Sequence, residues 1–267
     1  MKPAVALTIA GSDSGGGAGV LADCKTFEAL GVWGTAALVA VTAQNTLGVQ
    51  AFETLAPALV RRQIESVATD FGVDAVKTGM LASAELVGVV AAAVRDFALP
   101  NLVVDPVFVS KHGDTLLADD AIGALRDELL PLASVVTPNL PEAGRLVGFD
   151  VADRQSMVSC AEKLLALGVR VVLVKGGHLD GETSPDCLLA AGAAGPIWLE
   201  GERIPGRHTH GTGCVLSAAI TAELALGRSP EDACRTAKRF VERAIAGGLD
   251  LGAGVGPVNP GWARALW

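Results

Sequence analysis

Short apolar runs recur along the chain, each ending in a glycine or polar turn and each followed by a stretch of helical periodicity. The runs are Val5–Ala10, Ala36–Thr42, Ala75–Thr78, Leu102–Asp105, Val135–Thr137 and Val171–Val174. They show no polar alternation, which is the pattern of strands covered on both faces. Helical patterns separate them near 18–30, 57–70, 84–97, 118–130, 141–147 and 154–167. This alternation predicts right-handed βαβ crossovers and one mostly parallel sheet between two layers of helices. Two later strands, Asp186–Ala191 and Ile197–Ile204, have only short turns around them and predict an antiparallel edge. Two long helices follow, 212–226 and 230–247, the second with a Ser229 cap and Pro230 at its first position. The Gly- and Pro-rich stretch 248–261 reads as an ordered loop. No linker, repeat or charge block divides the chain, so 1–267 is expected to be a single domain.

Composition sharpens this picture. Half of the 267 residues are hydrophobic, but there are only seven Phe, four Trp and no Tyr, so the core must come from Ala, Val and Leu. The net charge of −8 argues against a nucleic-acid surface, which needs a basic stripe. It leaves room for a phosphate ligand, because backbone N–H groups, one lysine and a metal ion suffice to hold one. The five cysteines are odd in number and form no C-x-x-C pair, so neither a disulfide framework nor a zinc site is expected, and a reducing cytoplasm is. Residues 4–10 are too short for a signal peptide and read as a buried first strand. No apolar run approaches the ~20 residues needed to span a membrane.

Six segments carry candidate chemistry. Gly11-Ser12-Asp13-Ser14-Gly15-Gly16-Gly17-Ala18-Gly19 follows the first strand. It fails the dinucleotide pattern, with Val20 at the third glycine position, and the P-loop pattern, with Cys24 where glycine is required. It is either a close-approach ligand loop or a tight strand–helix turn. Asp23, early in the next helix, is either placed to accept from a substrate hydroxyl or an exposed helix carboxylate. Thr42-Ala43-Gln44-Asn45-Thr46 ends a strand, where ligands gather in open α/β sheets, and the Gln44 amide suits the edge of a heterocycle. Met80, after another strand, offers an apolar wall or a core side chain. Asp105, in Val104-Asp105-Pro106-Val107, is a strand-end carboxylate suited to Mg²⁺ or to a helix cap. Asn139 and Glu142 stand three apart across a strand–helix junction, serving metal and phosphates or capping the helix. Lys175, ending a strand before Gly176-Gly177, can meet a phosphate as a point charge. Last comes His210-Gly211-Thr212-Gly213-Cys214, opening a long apolar helix. Its bare N–H groups make an anion site by geometry and dipole. Cys214 lies in that first turn, where a thiolate is favoured and can take a proton from an attacking hydroxyl. His208 and His210 form H-x-H, but no further ligands accompany them.

Seven motifs in order, GSDSGGGAG (11–19), TAQNT (42–46), VKTGM (76–80), VDPV (104–107), TPNLPEA (137–143), VKGGH (174–178) and HGTGC (210–214), resemble hydroxymethylpyrimidine/phosphomethylpyrimidine kinase of thiamine biosynthesis. The resemblance spans essentially the whole chain. It implies a ribokinase-like three-layer α/β/α sandwich and two successive ATP-dependent phosphorylations, first of 4-amino-5-hydroxymethyl-2-methylpyrimidine and then of its monophosphate. It implies that Gln44 reads the pyrimidine, with Gly11, Asp23, Met80 and Val107 around it. Asp105, Asn139 and Glu142 then serve Mg-ATP, with Asp105 and Glu142 toward Mg²⁺, while Lys175 neutralises phosphate. Gly211, Thr212, Gly213 and Cys214 form the anion hole, with Cys214 as base. A homodimer with no nucleic-acid or membrane partner is also implied. Two positions depart from the family pattern: Val215 stands where a small hydroxyl residue is frequent, and His208 where an amide is expected. The rival readings are a pyridoxal kinase of the same lineage, which Gln44 disfavours only mildly, and a non-catalytic binder of the pyrimidine phosphate, disfavoured by the presence of Lys175, Asp105 and Cys214.

Overall fold

A computed structural model describes residues 2–108 and 119–262. Its centre is an eight-stranded sheet. In chain order the strands are β1 (Val5–Ala10), β2 (Trp33–Leu38), β5 (Ala75–Thr78), β6 (Leu102–Val104), β7 (Val135–Val136), β8 (Val171–Val174), β9 (Asp186–Ala190) and β10 (Ile197–Leu199), while β3 (Ala40–Asn45) and β4 (Gly48–Thr54) form a separate hairpin. The spatial order is β10-β9-β8-β7-β6-β5-β1-β2. The strands from β8 to β2 run parallel, and β9 and β10 add antiparallel at one edge.

Strand alternation explains why the runs are apolar throughout. Val76, Val104, Val136 and Val172 face one way, into a core with the helices α2 (Pro57–Asp70), α3 (Ala84–Asp96) and α6 (Arg154–Leu165). Their neighbours Ala75, Val103, Val135, Val171 and Leu173 face the other way, onto α7 (Thr212–Ala225) and α8 (Pro230–Ala246). Helix α7 is buried on every side from Val215 to Leu224, lying between α8 and α1 (Gly19–Ala29), which accounts for its mostly apolar sequence; the polar Ser217 and Thr221 bond back to the helix's own carbonyls. The expected sandwich, parallel sheet and antiparallel edge are all present. On the α2 side, α4 (Asp119–Ala124) and α5 (Leu140–Val147) complete the layer.

Three boundaries differ from the sequence pattern. The run 36–42 is not one strand: β2 ends at Leu38 and β3 begins at Ala40 in the hairpin. The bend falls at Val39, whose N–H donates to Ala10 O and whose carbonyl accepts from Leu55 N. Those partners are remote in sequence, so an unbroken apolar run gives no sign of the break. Strand β4 is absent from the expectation because most of it is exposed and carries little apolar pattern. Of the expected strand 197–204 only Ile197–Leu199 pairs with β9. The helix expected over 118–130 starts, within the described residues, at Asp119. It continues as a π turn at Leu125–Leu129 and a 3₁₀ turn at Leu130–Leu132, where Pro131 cannot continue an α-helix.

The carboxyl ends of five adjacent parallel strands, β8, β7, β6, β5 and β1, deliver Lys175, Thr137, Asp105, Gly79-Met80 and Gly11 to one rim of the sheet. Ligands of open α/β sheets bind at such rims.

Candidate active site

Asp105 is the centre of a buried polar cluster. Its Oδ1 accepts from Lys175 Nζ and from Thr137 Oγ1, each at 3.1 Å, and its Oδ2 accepts from Ser217 Oγ at 3.1 Å. Burial pushes its carboxyl up, but the charges of Lys175 and Lys77 and these hydrogen bonds outweigh that, so Asp105 stays below the usual carboxylate range. Lys175 also lies 3.7 Å from Glu142 Oε2. Burial, with a contribution from Asp105, pushes Glu142 up to about 7, against the pull of Lys175 and the Asn139 N–H. Asn139 and Glu142 form a complete capping box at the start of α5. Asn139 Oδ1 is thereby committed to the Glu142 N–H, while Glu142 both caps and faces Lys175. The two roles left open by the sequence therefore separate by residue.

The start of α7 lies against this cluster. A side chain at Gly213 would sit 3.4 Å from Lys175 Nζ and 3.8 Å from Asp105 Oδ2. Gly211 is the N-cap, in a left-handed conformation (φ +79°), and no side chain caps the helix. Thr212 N–H donates to Thr209 O at 3.4 Å, and the first-turn N–H groups of Gly213 and Cys214 are left to a ligand beside a lysine, an arrangement suited to a phosphate. Cys214 is half-buried in that turn. Its thiol is pushed up to about 11, by burial first and then by Asp23 and Asp105, against Lys77 and the Gly19 N–H. This corrects the expectation that the helix start favours a thiolate: desolvation and two carboxylates outweigh the dipole.

On the acceptor side, Gly11 and Met80 meet directly, since a Cβ on Gly11 would sit 2.7 Å from Met80 Cε. Val107 follows Asp105 and packs half-buried against the core. Gln44 lies next to the bulge in β3, with its backbone N–H and carbonyl both bonded to Ser14 Oγ, so the hairpin is tied to the glycine loop. Asp23 does not have the expected role. It is fully buried, its two carboxylate oxygens each accept from Lys77 Nζ at 2.7 Å, and Thr8 Oγ1 adds a third bond at 2.6 Å. With the side chain fully buried, neither oxygen is exposed to a substrate hydroxyl. Burial alone lowers a lysine pKa, but Asp23, Cys214 and Asp105 hold Lys77 above its usual value, while burial holds the Asp23 carboxyl above its own against the pull of Lys77 and Thr8.

The glycine loop itself is organised by Asp13, whose carboxylate accepts from the N–H groups of Gly15, Gly17 and Ala18 and bonds His210 Nε2 at 2.8 Å. His208 Nδ1 accepts from Gly256 N, so the two histidines turn to different partners. Among the described residues no three His, Cys, Asp or Glu side chains gather as metal ligands, and no helix is long and apolar enough to cross a membrane.

The family model for phosphomethylpyrimidine kinase matches residues 13–259. The chain is 51% identical over 263 residues to the hydroxymethylpyrimidine/phosphomethylpyrimidine kinase of Streptomyces coelicolor, covering 98% of this chain and 96% of that one. It belongs to the phosphomethylpyrimidine kinase family. Solved structures agree on the fold. Pyridoxal kinase of Bacillus subtilis, in an ADP complex, superposes with a TM-score of 0.91 at 38% identity over 98% of this chain and 99% of that one. Phosphomethylpyrimidine kinase of Clostridium difficile gives 0.79 at 41% identity over 90% and 99%. The ribokinase-like sandwich and the assignment as an ATP-using kinase follow.

Within this kinase fold, the sequence reading missed four residues. Ser217 and Thr137 hold Asp105, and Lys77 neutralises Asp23. Asp13 braces the glycine loop. Ser217 was legible in principle: one turn past Gly213, it bonds back to the Gly213 carbonyl and forward to Asp105. Val215, the departure from the family pattern, is fully buried.

Proposed function

We propose that this kinase transfers the γ-phosphoryl group of Mg-ATP to the hydroxymethyl group of 4-amino-5-hydroxymethyl-2-methylpyrimidine and then phosphorylates the monophosphate. The observation that carries the reading is the start of α7, capped by no side chain, with Gly213 beside Lys175 and Asp105 at the rim where Gly11 meets Met80. Phosphoryl transfer needs in-line positioning and stabilisation of equatorial charge, and little covalent chemistry. Gly211, Thr212 and Gly213 with Lys175 hold the transferring group. Gln44 reads the ring edge. Cys214 contacts the acceptor hydroxyl and takes its proton; with the thiol pushed up to about 11 in the ligand-free protein, Lys77 and the Gly19 N–H are the two groups that favour its thiolate.

The residues fit Mg²⁺. Asp105 is held ionised, Glu142 lies on the other side of Lys175, and Mg²⁺ is usually bound by one or two carboxylates together with waters and substrate phosphates. Asp105 and Glu142 are the residues that would hold it, directly or through water. When bound, the ion supplies neutralisation of phosphate charge.

The chain is proposed to work as a single kinase domain and as a homodimer. Val41, Leu47 and Phe52 on the β3–β4 hairpin are 48%, 63% and 49% exposed, an apolar surface on a two-stranded ribbon that gains from a covering partner. Sedimentation at twice 27.1 kDa supports this, and a monomer at micromolar concentration refutes it. All five cysteines are free thiols, in keeping with a cytoplasmic enzyme, which cell fractionation checks.

The close superposition on a pyridoxal kinase supports a second reading, pyridoxal as acceptor. An ADP-release assay with Mg-ATP and, in parallel, the hydroxymethylpyrimidine, its monophosphate and pyridoxal separates the two. Turnover of both pyrimidine forms is expected; turnover of pyridoxal alone would reassign the acceptor. Gln44→Leu is expected to weaken pyrimidine binding by roughly 1–3 kcal/mol, the cost of leaving a buried polar partner unpaired. Calorimetry showing an unchanged dissociation constant would remove Gln44 from the site.

A further inference from the structure

We infer that Asp13 and His210 form a positioning pair that locks the acceptor-side glycine loop to the phosphate-side start of α7, so that the two halves of the site move as one piece. Asp13 is almost fully buried and lies two residues into the glycine loop, and His210 is buried immediately before Gly211. The carboxylate gathers three N–H groups of the loop (Gly15 at 2.9 Å, Gly17 at 3.1 Å, Ala18 at 2.9 Å) and spends its remaining capacity on His210 Nε2 at 2.8 Å. The backbone of His210 is held in turn by the tail: its N–H donates to Gly256 O and its carbonyl accepts from Val258 N. The side chain thus bridges from a fixed backbone to the loop.

The loops also interlock sterically. A Cβ on Gly17 would approach His210 Cδ2 to 2.6 Å and Pro257 Cβ to 3.0 Å, and one on Gly211 would overlap the Gly17 carbonyl. Glycine at both positions permits the loop that carries the acceptor and the turn that carries the phosphoryl group to touch through backbone alone. The pair acts through position: its carboxylate and ring bond the N–H groups of the glycine loop and each other. Its effect is on geometry, the distance between the acceptor oxygen and the phosphorus. A displacement of about 1 Å there is worth ~10²-fold in rate.

The inference rests on the proposed assignment of the two sides of the site. Its test uses the full-length wild type, His210→Ala, His210→Gln, Asp13→Asn and the double variant Asp13→Asn/His210→Ala. Steady-state kinetics are read on whichever acceptor the wild type turns over, so a wrong acceptor leaves the test intact. The expected result for His210→Ala is a kcat about 10²-fold lower, with KM for acceptor and ATP within about threefold of wild type. His210→Gln, which keeps an N–H near the Nε2 position, recovers kcat to within about tenfold of wild type, and the double variant is no slower than the worse single one, as coupled residues require. Two outcomes overturn the pair: His210→Ala with near-normal kcat, or losses that track melting temperature equally in the Ala and Gln variants, which leaves only a fold-stabilising contact.

Discussion

Cys214→Ala is expected to lower kcat about 10²–10⁴-fold, the range associated with removing a general acid–base group, while pyrimidine binding survives. The reasoning starts from position. Cys214 occupies the first turn of α7, beside the N–H groups offered to phosphate and between the Lys77–Asp23 pair and Asp105. Its truncation removes only a thiol from a half-buried site, so the contacts to the ring proposed for Gly11, Met80 and Gln44 should persist. Retention of near-normal turnover would end the assignment of Cys214 as base. A second readout tests its protonation. With the thiol pushed up to about 11, carboxymethylation of Cys214 in the nucleotide-free protein is slow at neutral pH and rises steadily through pH 9. A rate that has already levelled off at pH 7 would show a thiolate that the surrounding carboxylates should not permit.

Lys77→Met is expected to destabilise the protein by about 3–5 kcal/mol, the usual consequence of leaving one member of a buried ion pair alone. Lys77 and Asp23 are both fully buried, and Thr8 Oγ1 supplies a further bond to the carboxylate. Without the ammonium, Asp23 must either stay charged in a low-dielectric core or take up a proton. The compensated variant Lys77→Met/Asp23→Leu removes both charges and should recover much of the loss. Urea unfolding of the three proteins decides the matter: a single variant as stable as wild type would mean the pair is not ionised in the fold. The same lysine is the charge that most favours the Cys214 thiolate and Asp23 the one that most opposes it, so Lys77→Met alone should lower activity and the compensated variant should regain part of it with the stability.

Much of the architecture was legible along the chain because its determinants are local. A strand covered on both faces has to be apolar at every position, and Val135-Val136 or Val171–Val174 can be nothing else in a parallel sheet. A helix buried all round is mostly apolar all round, as Val215–Leu224 is apart from Ser217, Thr221 and Glu223. Glycines that permit close backbone approach stand at Gly11, Gly17, Gly211 and Gly213 whatever folds around them. What the linear pattern could not carry were pairings between distant residues. Asp23 read as an exposed helix carboxylate until β5 brought Lys77 beneath it, 54 positions away. Cys214 read as a thiolate from its helix dipole until the fold placed Asp23 and Asp105 nearby and removed water. The bend at Val39 depends on Ala10 and Leu55, and the brace between Asp13 and His210 spans 197 residues. Local periodicity and backbone geometry are set by neighbours in sequence, and so the sequence alone determined the layers, the strand-end rim and the anion-binding turn. Charge state and hydrogen-bond partnership are set by neighbours in space, and those only the tertiary structure decided.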